Sequence, residues 1–208
     1  MPKPTLEAAF AAIAPQPGAM AGAILRLRGR FGEPHRAYHN EAHTLDVLSH
    51  LREWTDDPDV SLVAAALYHD AIYDPTRSDN ETRSAALSAE ELAQQGHPPV
   101  MIHRVTDLIE MTAHHLPSPD LTDAVLLVDA DLYILGGTPE EYEAYRKAIR
   151  AEYAHVPEDA WRTGRARVLA RFLERPRIFH GDWIGVSGRE EQARRNLAGE
   201  IDSLMVEG

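Results

Sequence analysis

The chain contains no cysteine, which rules out disulfides, thiolate-ligated zinc and a cysteine nucleophile. Lysine is nearly missing too: Lys3 and Lys147 are the only two, and every other basic side chain is arginine. Arginine's planar fork suits phosphate, although a GC-rich genome produces the same bias. No apolar run approaches the roughly 20 residues that span a bilayer. The opening MPKPTLEAAFAAIAPQPGAM carries a single basic residue, and Glu7 interrupts its apolar stretch, so it does not read as a signal peptide. A cytoplasmic protein without a membrane partner is expected. A formal net charge of −12 excludes a general nucleic-acid binder, because a polyanion needs a basic face. A small phosphorylated metabolite stays admissible, since a bound cation and a few arginines reverse the potential locally.

Strand-like alternation is nearly absent, and helical periodicity dominates. The spacing predicts helices over 5–14, 19–31, 40–54, 60–72, 80–95, 98–115, 121–135, 138–155, 157–174 and 190–204, with Pro15 and Pro17 stopping the first. Asp57 followed by Pro58 reads as the N-cap of the fourth, and Asp79 as that of the fifth. Leu45, Leu48 and Leu51 form the apolar stripe of the third. The fourth is apolar almost all round, so it should be central. Thr138 with Glu141 is a capping box. At 208 residues with short connections, the expected fold is all-α: one compact helical bundle, with its motif core over about 35–135 and the helices of 138–205 packed on it. A homodimer is compatible with this.

The chemistry gathers in three places. In LVAAALYHDAIYD, His69 and Asp70 follow seven almost wholly apolar residues. Burying an aspartate without a partner costs several kcal/mol, so something must compensate it: a metal ion, for which His and Asp are both ligands, or backbone amides at the helix end. Upstream, YHNEAHTLDVLSH places His39 and His43 four apart, on one face if the helix starts early enough; His50 reads as a solvated flank. Downstream, in LLVDADLYILGG, Asp131 sits where periodicity predicts burial, and Asp129 lies two residues earlier. Side chains two apart on a helix point in different directions, so one faces a site while the other caps, pairs or supports.

This ordered set resembles the HD-domain superfamily of metal-dependent phosphohydrolases. More narrowly, YHNEAH, YHDAIYDP, SDNETRSA, TAHH, DADLYILG, IRAEYAHVP and RPRIFH resemble a bacterial branch of predicted HD phosphohydrolases, over roughly residues 35–180. The resemblance implies that His43, His69, Asp70 and Asp131 bind a divalent metal, with Asp129 orienting a ligand or a water. If the third motif is aligned two residues off, the two aspartates exchange roles. Two imidazoles and two carboxylates suit Mn²⁺, Fe²⁺, Co²⁺ or Ni²⁺ and tolerate Mg²⁺ or Zn²⁺. The implied activity is hydrolysis of a phosphomonoester or pyrophosphate bond in a nucleotide or similar small metabolite by metal-activated water.

Around these four residues, His39 is a candidate for contacting phosphate or a leaving-group oxygen. His114 and His115 are candidates for substrate or a second metal, although basic groups are favoured at a helix C-terminus in any case. Arg36, Arg77 and Arg83 are candidate phosphate contacts. Several HD nucleotidases carry an acid within a turn of the His-Asp pair. Here that stretch is AIYDP, which leaves Asp74 or Glu81 as the candidate general acid. Two other readings stay open: a di-iron HD-type oxygenase, and a metal- or nucleotide-binding module without turnover.

Overall fold

A computed structural model of the protein describes residues 3–14, 20–183, 186 and 188–206. Pro15, Pro17 and Ala19, expected to end the first helix and open the second, lie outside them. Among the described residues there are helices and no strands, as the periodicity predicts. No helix among them is long and apolar enough to cross a membrane. The chain divides into two units, Met1–Ala130 and Asp131–Gly208.

In the first unit, α1 (Leu6–Ile13) starts where Thr5 Oγ1 accepts the Ala8 amide, and it buries Leu6, Ala9, Phe10 and Ile13, an i, i+3, i+4, i+7 face. It packs on α2 (Met20–Phe31) and α4 (Val60–Tyr68). Helix α4 also meets α3 (Glu41–Trp54), α5 (Asn80–Gln94) and α6 (Pro99–Thr112), and every residue from Ser61 to Tyr68 is buried. It is central, as its all-round apolarity requires. Its N-cap is Asp59, which accepts the Ser61 amide at 2.8 Å, and not Asp57. Helix α7 (Thr122–Asp131) buries every residue from Ala124 to Ala130. The unit boundary falls after Ala130, so Asp131 closes a helix whose other residues belong to the first unit.

Three expected boundaries shift in ways that matter for the site. Helix α4 stops at Tyr68, leaving His69 as its C-cap, whereas the apolar pattern runs on to Ile72. Helix α6 ends at Thr112, so His114 and His115 stand beyond it. On α3 the buried face is His43, Thr44, Val47, Leu48 and Leu51. Leu45 is only half-buried, and the stripe is therefore turned so that His43 shares the core face with Val47 and Leu51.

The second unit opens with a 3₁₀ turn, Leu132–Gly136, followed by α8 (Pro139–Glu152), α9 (Glu158–Leu173) and α10 (Arg189–Val206). The Thr138–Glu141 capping box is present in both directions. Helix α9 packs on α10 around an ion pair between Arg165 Nε and Glu200 Oε1 at 2.8 Å, with Tyr142 Oη donating to Glu200 Oε2 at 2.5 Å. Gly136 is required by close approach: a Cβ there would lie 2.8 Å from Arg189 Cβ. The motif residues IRAEYAHVP close α8 and make the turn to α9, where Arg150 donates to the carbonyls of Tyr153 and Val156. RPRIFH is clasped by α10, through Glu190 accepting the Ile178 and Phe179 amides and Arg194 donating to the carbonyls of Arg175 and Pro176.

Candidate metal centre

His43 is placed by a cap. The Asn40 side chain accepts from the amides of Ala42 and His43, so α3 begins at Glu41 and His43 stands in its first turn, 5 % exposed. The helix thus begins too late to carry His39, which lies in the turn before it. The His39 ring nevertheless comes within 5.8 Å of the His43 ring, edge to face.

His69 is placed by the end of α4. Its Nδ1 lies 2.9 Å from the Ala66 carbonyl oxygen. A carbonyl only accepts, so Nδ1 carries the proton and Nε2 presents a lone pair. That Nε2 lies 3.2 Å from His43 Nε2 and 3.2 Å from Asp70 Oδ2, and Asp70 Oδ2 lies 3.4 Å from His43 Nε2. Atoms bound about 2.0–2.1 Å from one ion stand roughly 3 to 3.4 Å from each other, which matches this triangle. Two ring nitrogens and a carboxylate oxygen converge there, which is the donor chemistry of a divalent-cation site. These residues fit a divalent metal.

Asp70 keeps its side chain 16 % exposed. Burial alone would raise its carboxyl. The surrounding imidazoles of His69, His39 and His43 outweigh that and hold it well below the usual carboxylate range. Asp131 lies near the same two imidazoles: His43, His69 and Asp131 each offer one ligand atom, all within 4.8 Å of one another. Asp129 is fully buried, whereas Asp131 is half-buried.

The surroundings hold residues that the motif reading passed over. Tyr73 stacks on His39 with ring centroids 4.1 Å apart, and Tyr38 leans on His43 at 4.8 Å. Each tyrosine sits inside a quoted motif, YHNEAH or YHDAIYDP, and that adjacency was the available signal. The loop after the His-Asp pair is fastened to α5. Ser84 Oγ accepts the Ile72 amide at 3.0 Å, and the Asn80 side chain accepts the Asp74 amide and donates to its carbonyl, both at 3.0 Å.

The other candidates are dispersed. Arg36 faces inward: its guanidinium donates to the carbonyls of His39, Asp70 and Ala71 and to Glu33, which takes it away from the phosphate contact expected of it. Arg77 pairs through two bonds with Asp79, so Asp79 makes no side-chain cap to α5. Arg83 is exposed on α5. The Asp74 carboxylate accepts the Thr76 hydroxyl at 2.6 Å and the Thr76 amide at 2.9 Å, and these bonds lower its pKa, the reverse of what a general acid needs. Glu81 is half-buried in the first turn of α5. His114 is exposed, and His115 takes a left-handed backbone, φ 49°. Neither belongs to the ligand group. His50, expected to be a solvated flank, is instead only 20 % exposed at its side chain, which lies 3.6 Å from Glu53 and stacks on Trp54.

Comparison with curated proteins and with solved structures found no match. The family model described as HD domain matches residues 40–151, more than half of the chain and a span holding all four of the implied ligands. The chain belongs to the HD-domain family.

Proposed function

We propose that the protein is a metal-dependent phosphohydrolase, cleaving a phosphomonoester or pyrophosphate bond in a nucleotide or similar small phosphorylated metabolite. His43, His69, Asp70 and Asp131 are the proposed ligands of a divalent cation. The observation that supports this most directly is the triangle of His43 Nε2, His69 Nε2 and Asp70 Oδ2, with sides of 3.2, 3.2 and 3.4 Å. When bound, such a cation would polarise a phosphoryl oxygen and lower the pKa of water toward neutrality.

The chain's own side chains then divide the remaining work. The Ala66 carbonyl fixes the His69 tautomer, so that ligand needs no reorganisation. His39, held against Tyr73, is positioned to donate a hydrogen bond to a phosphoryl or leaving-group oxygen. With Asp74 committed to Thr76, Glu81 is the remaining candidate for holding the proton delivered to the leaving group. A net charge of −12 repels anions at long range, so selective binding of a phosphorylated substrate depends on the local positive field of the cation.

The test is elemental analysis of the purified protein, followed by a phosphate-release screen of nucleoside mono-, di- and triphosphates with the metal found. Phosphate release that stops with chelator and returns with metal is expected. Oxygen uptake without phosphate release would replace this reading with an oxygenase. Tight nucleotide binding without turnover would replace it with a binding module.

A further inference from the structure

We infer that Arg36 is a positioning residue for the metal-binding turn, not a contact for substrate; the inference rests on the metal reading above. Its side chain is 0 % exposed, and four of its N–H groups are already donated within the protein. Nε goes to Glu33 Oε2 at 3.0 Å, Nη1 to the His39 carbonyl at 2.9 Å and the Asp70 carbonyl at 2.7 Å, and Nη2 to the Ala71 carbonyl at 3.1 Å. The guanidinium lies over the rings of Phe31 and Tyr73, 5.9 and 5.6 Å from their centroids. A phosphate cannot reach it without displacing these partners.

The geometry has a purpose that the early end of α4 makes plain. After Tyr68 the chain leaves the helix, so the carbonyls of Asp70 and Ala71 have no helical amide to accept. Ala71 is buried, and a buried carbonyl left unpaired is costly. One planar fork satisfies both and also takes the carbonyl of His39, more than thirty residues away in sequence. Arg36 thereby ties the turn before α3, four residues ahead of His43, to the turn that carries His69 and Asp70. The two segments supplying the triangle are locked in register by a side chain outside it. A lysine keeps the charge but offers a compact ammonium in place of a fixed fork.

The experiment is Co²⁺ titration of the full chain, reading the visible absorption spectrum and the dissociation constant, for wild type, Arg36→Lys, Glu33→Gln and Arg165→Lys. Arg36→Lys is expected to weaken Co²⁺ by about 10–100-fold, the usual range for residues that orient ligands, and to alter the spectrum, because the ligands are displaced. Glu33→Gln, at a half-exposed partner, should act in the same direction, by roughly twofold to fivefold, and keeps the test alive if Arg36→Lys does not fold. Arg165→Lys disturbs a buried ion pair in the second unit and should lower stability while leaving spectrum and affinity unchanged. Unaltered cobalt affinity and spectrum in Arg36→Lys or, if that variant does not fold, in Glu33→Gln would overturn the inference. So would a loss confined to the binding of inorganic phosphate. Wild-type protein that takes up no cobalt is a different failure, removing the metal reading itself.

Discussion

The hydroxyl of Tyr68 donates to Glu91 Oε2 at 2.9 Å, fixing the residue just before His69 to the far end of α5. The other Glu91 oxygen takes Arg26 Nε at 2.6 Å. Burial, reinforced by the Glu91 charge, pushes the Tyr68 phenol far above its ordinary value, so it remains a donor at every working pH. Tyr68→Phe keeps the ring that meets Phe10 edge-on but deprives a buried carboxylate of one donor. The expected loss is about 1–3 kcal/mol, read from urea unfolding of metal-free protein. A variant as stable as wild type would show that Glu91 is adequately solvated without it.

His69→Ala and Asp70→Ala remove corners of the triangle. Each is expected to abolish stoichiometric divalent metal and with it the rise in melting temperature that metal produces, since a ligand that binds only the folded state stabilises by mass action. Elemental analysis and thermal melts with and without added metal read both effects. Full metal content in either variant would remove that residue from the ligand set.

Much of the site was readable in the sequence because it violates the local pattern. His69 and Asp70 stand out against LVAAALY, and a charge placed where periodicity demands burial is a strong signal. The end of α4 was not readable, because nothing in AIYD before Pro75 stops a helix. What stops it is Arg36 and Ser84, reaching in from outside the helix to take its post-helical backbone groups. Arg36 itself read as a phosphate contact for the same reason, as its partners at 70 and 71 are distant in sequence. The rotation of α3 was hidden because Leu45 and Val47 are equally apolar, and only packing on α4 selects Val47 and His43 as the inward face. In IRAEYAHVP and RPRIFH the resemblance pointed to residues that serve turns of the second unit.

His97 gives a pH dependence that does not involve metal. It follows Gly96, φ 84°, with its amide donating to Leu92 O at 3.0 Å, and burial lowers its imidazole pKa. Between that lowered value and the unfolded value of about 6.5, the denatured chain binds a proton that the folded chain refuses. Stability therefore falls as pH drops below about 6.5. His97→Gln removes this contribution, so metal-free unfolding free energies at about pH 7.5 and about pH 5.5 should differ less in the variant than in wild type. Equal pH slopes would mean that His97 titrates alike in both states.

In the proposed phosphohydrolase reaction, the proton delivered to the leaving group separates Asp74 from Glu81. A general acid works best with a pKa near the operating pH. Asp74 is moved the other way by the hydroxyl and amide of Thr76, so it is ionised near neutral pH. Asp74→Asn should therefore leave kcat within about threefold and the basic limb of the pH–rate profile unmoved, with any loss traceable to the loop held by Asn80. Glu81→Gln should lower kcat by about 10²–10⁴-fold, the usual contribution of a positioned acid, and shift or abolish that limb. If Asp74→Asn erases the basic limb and Glu81→Gln does not, the acid is Asp74, and bound substrate must break its bonds to Thr76 before it can act.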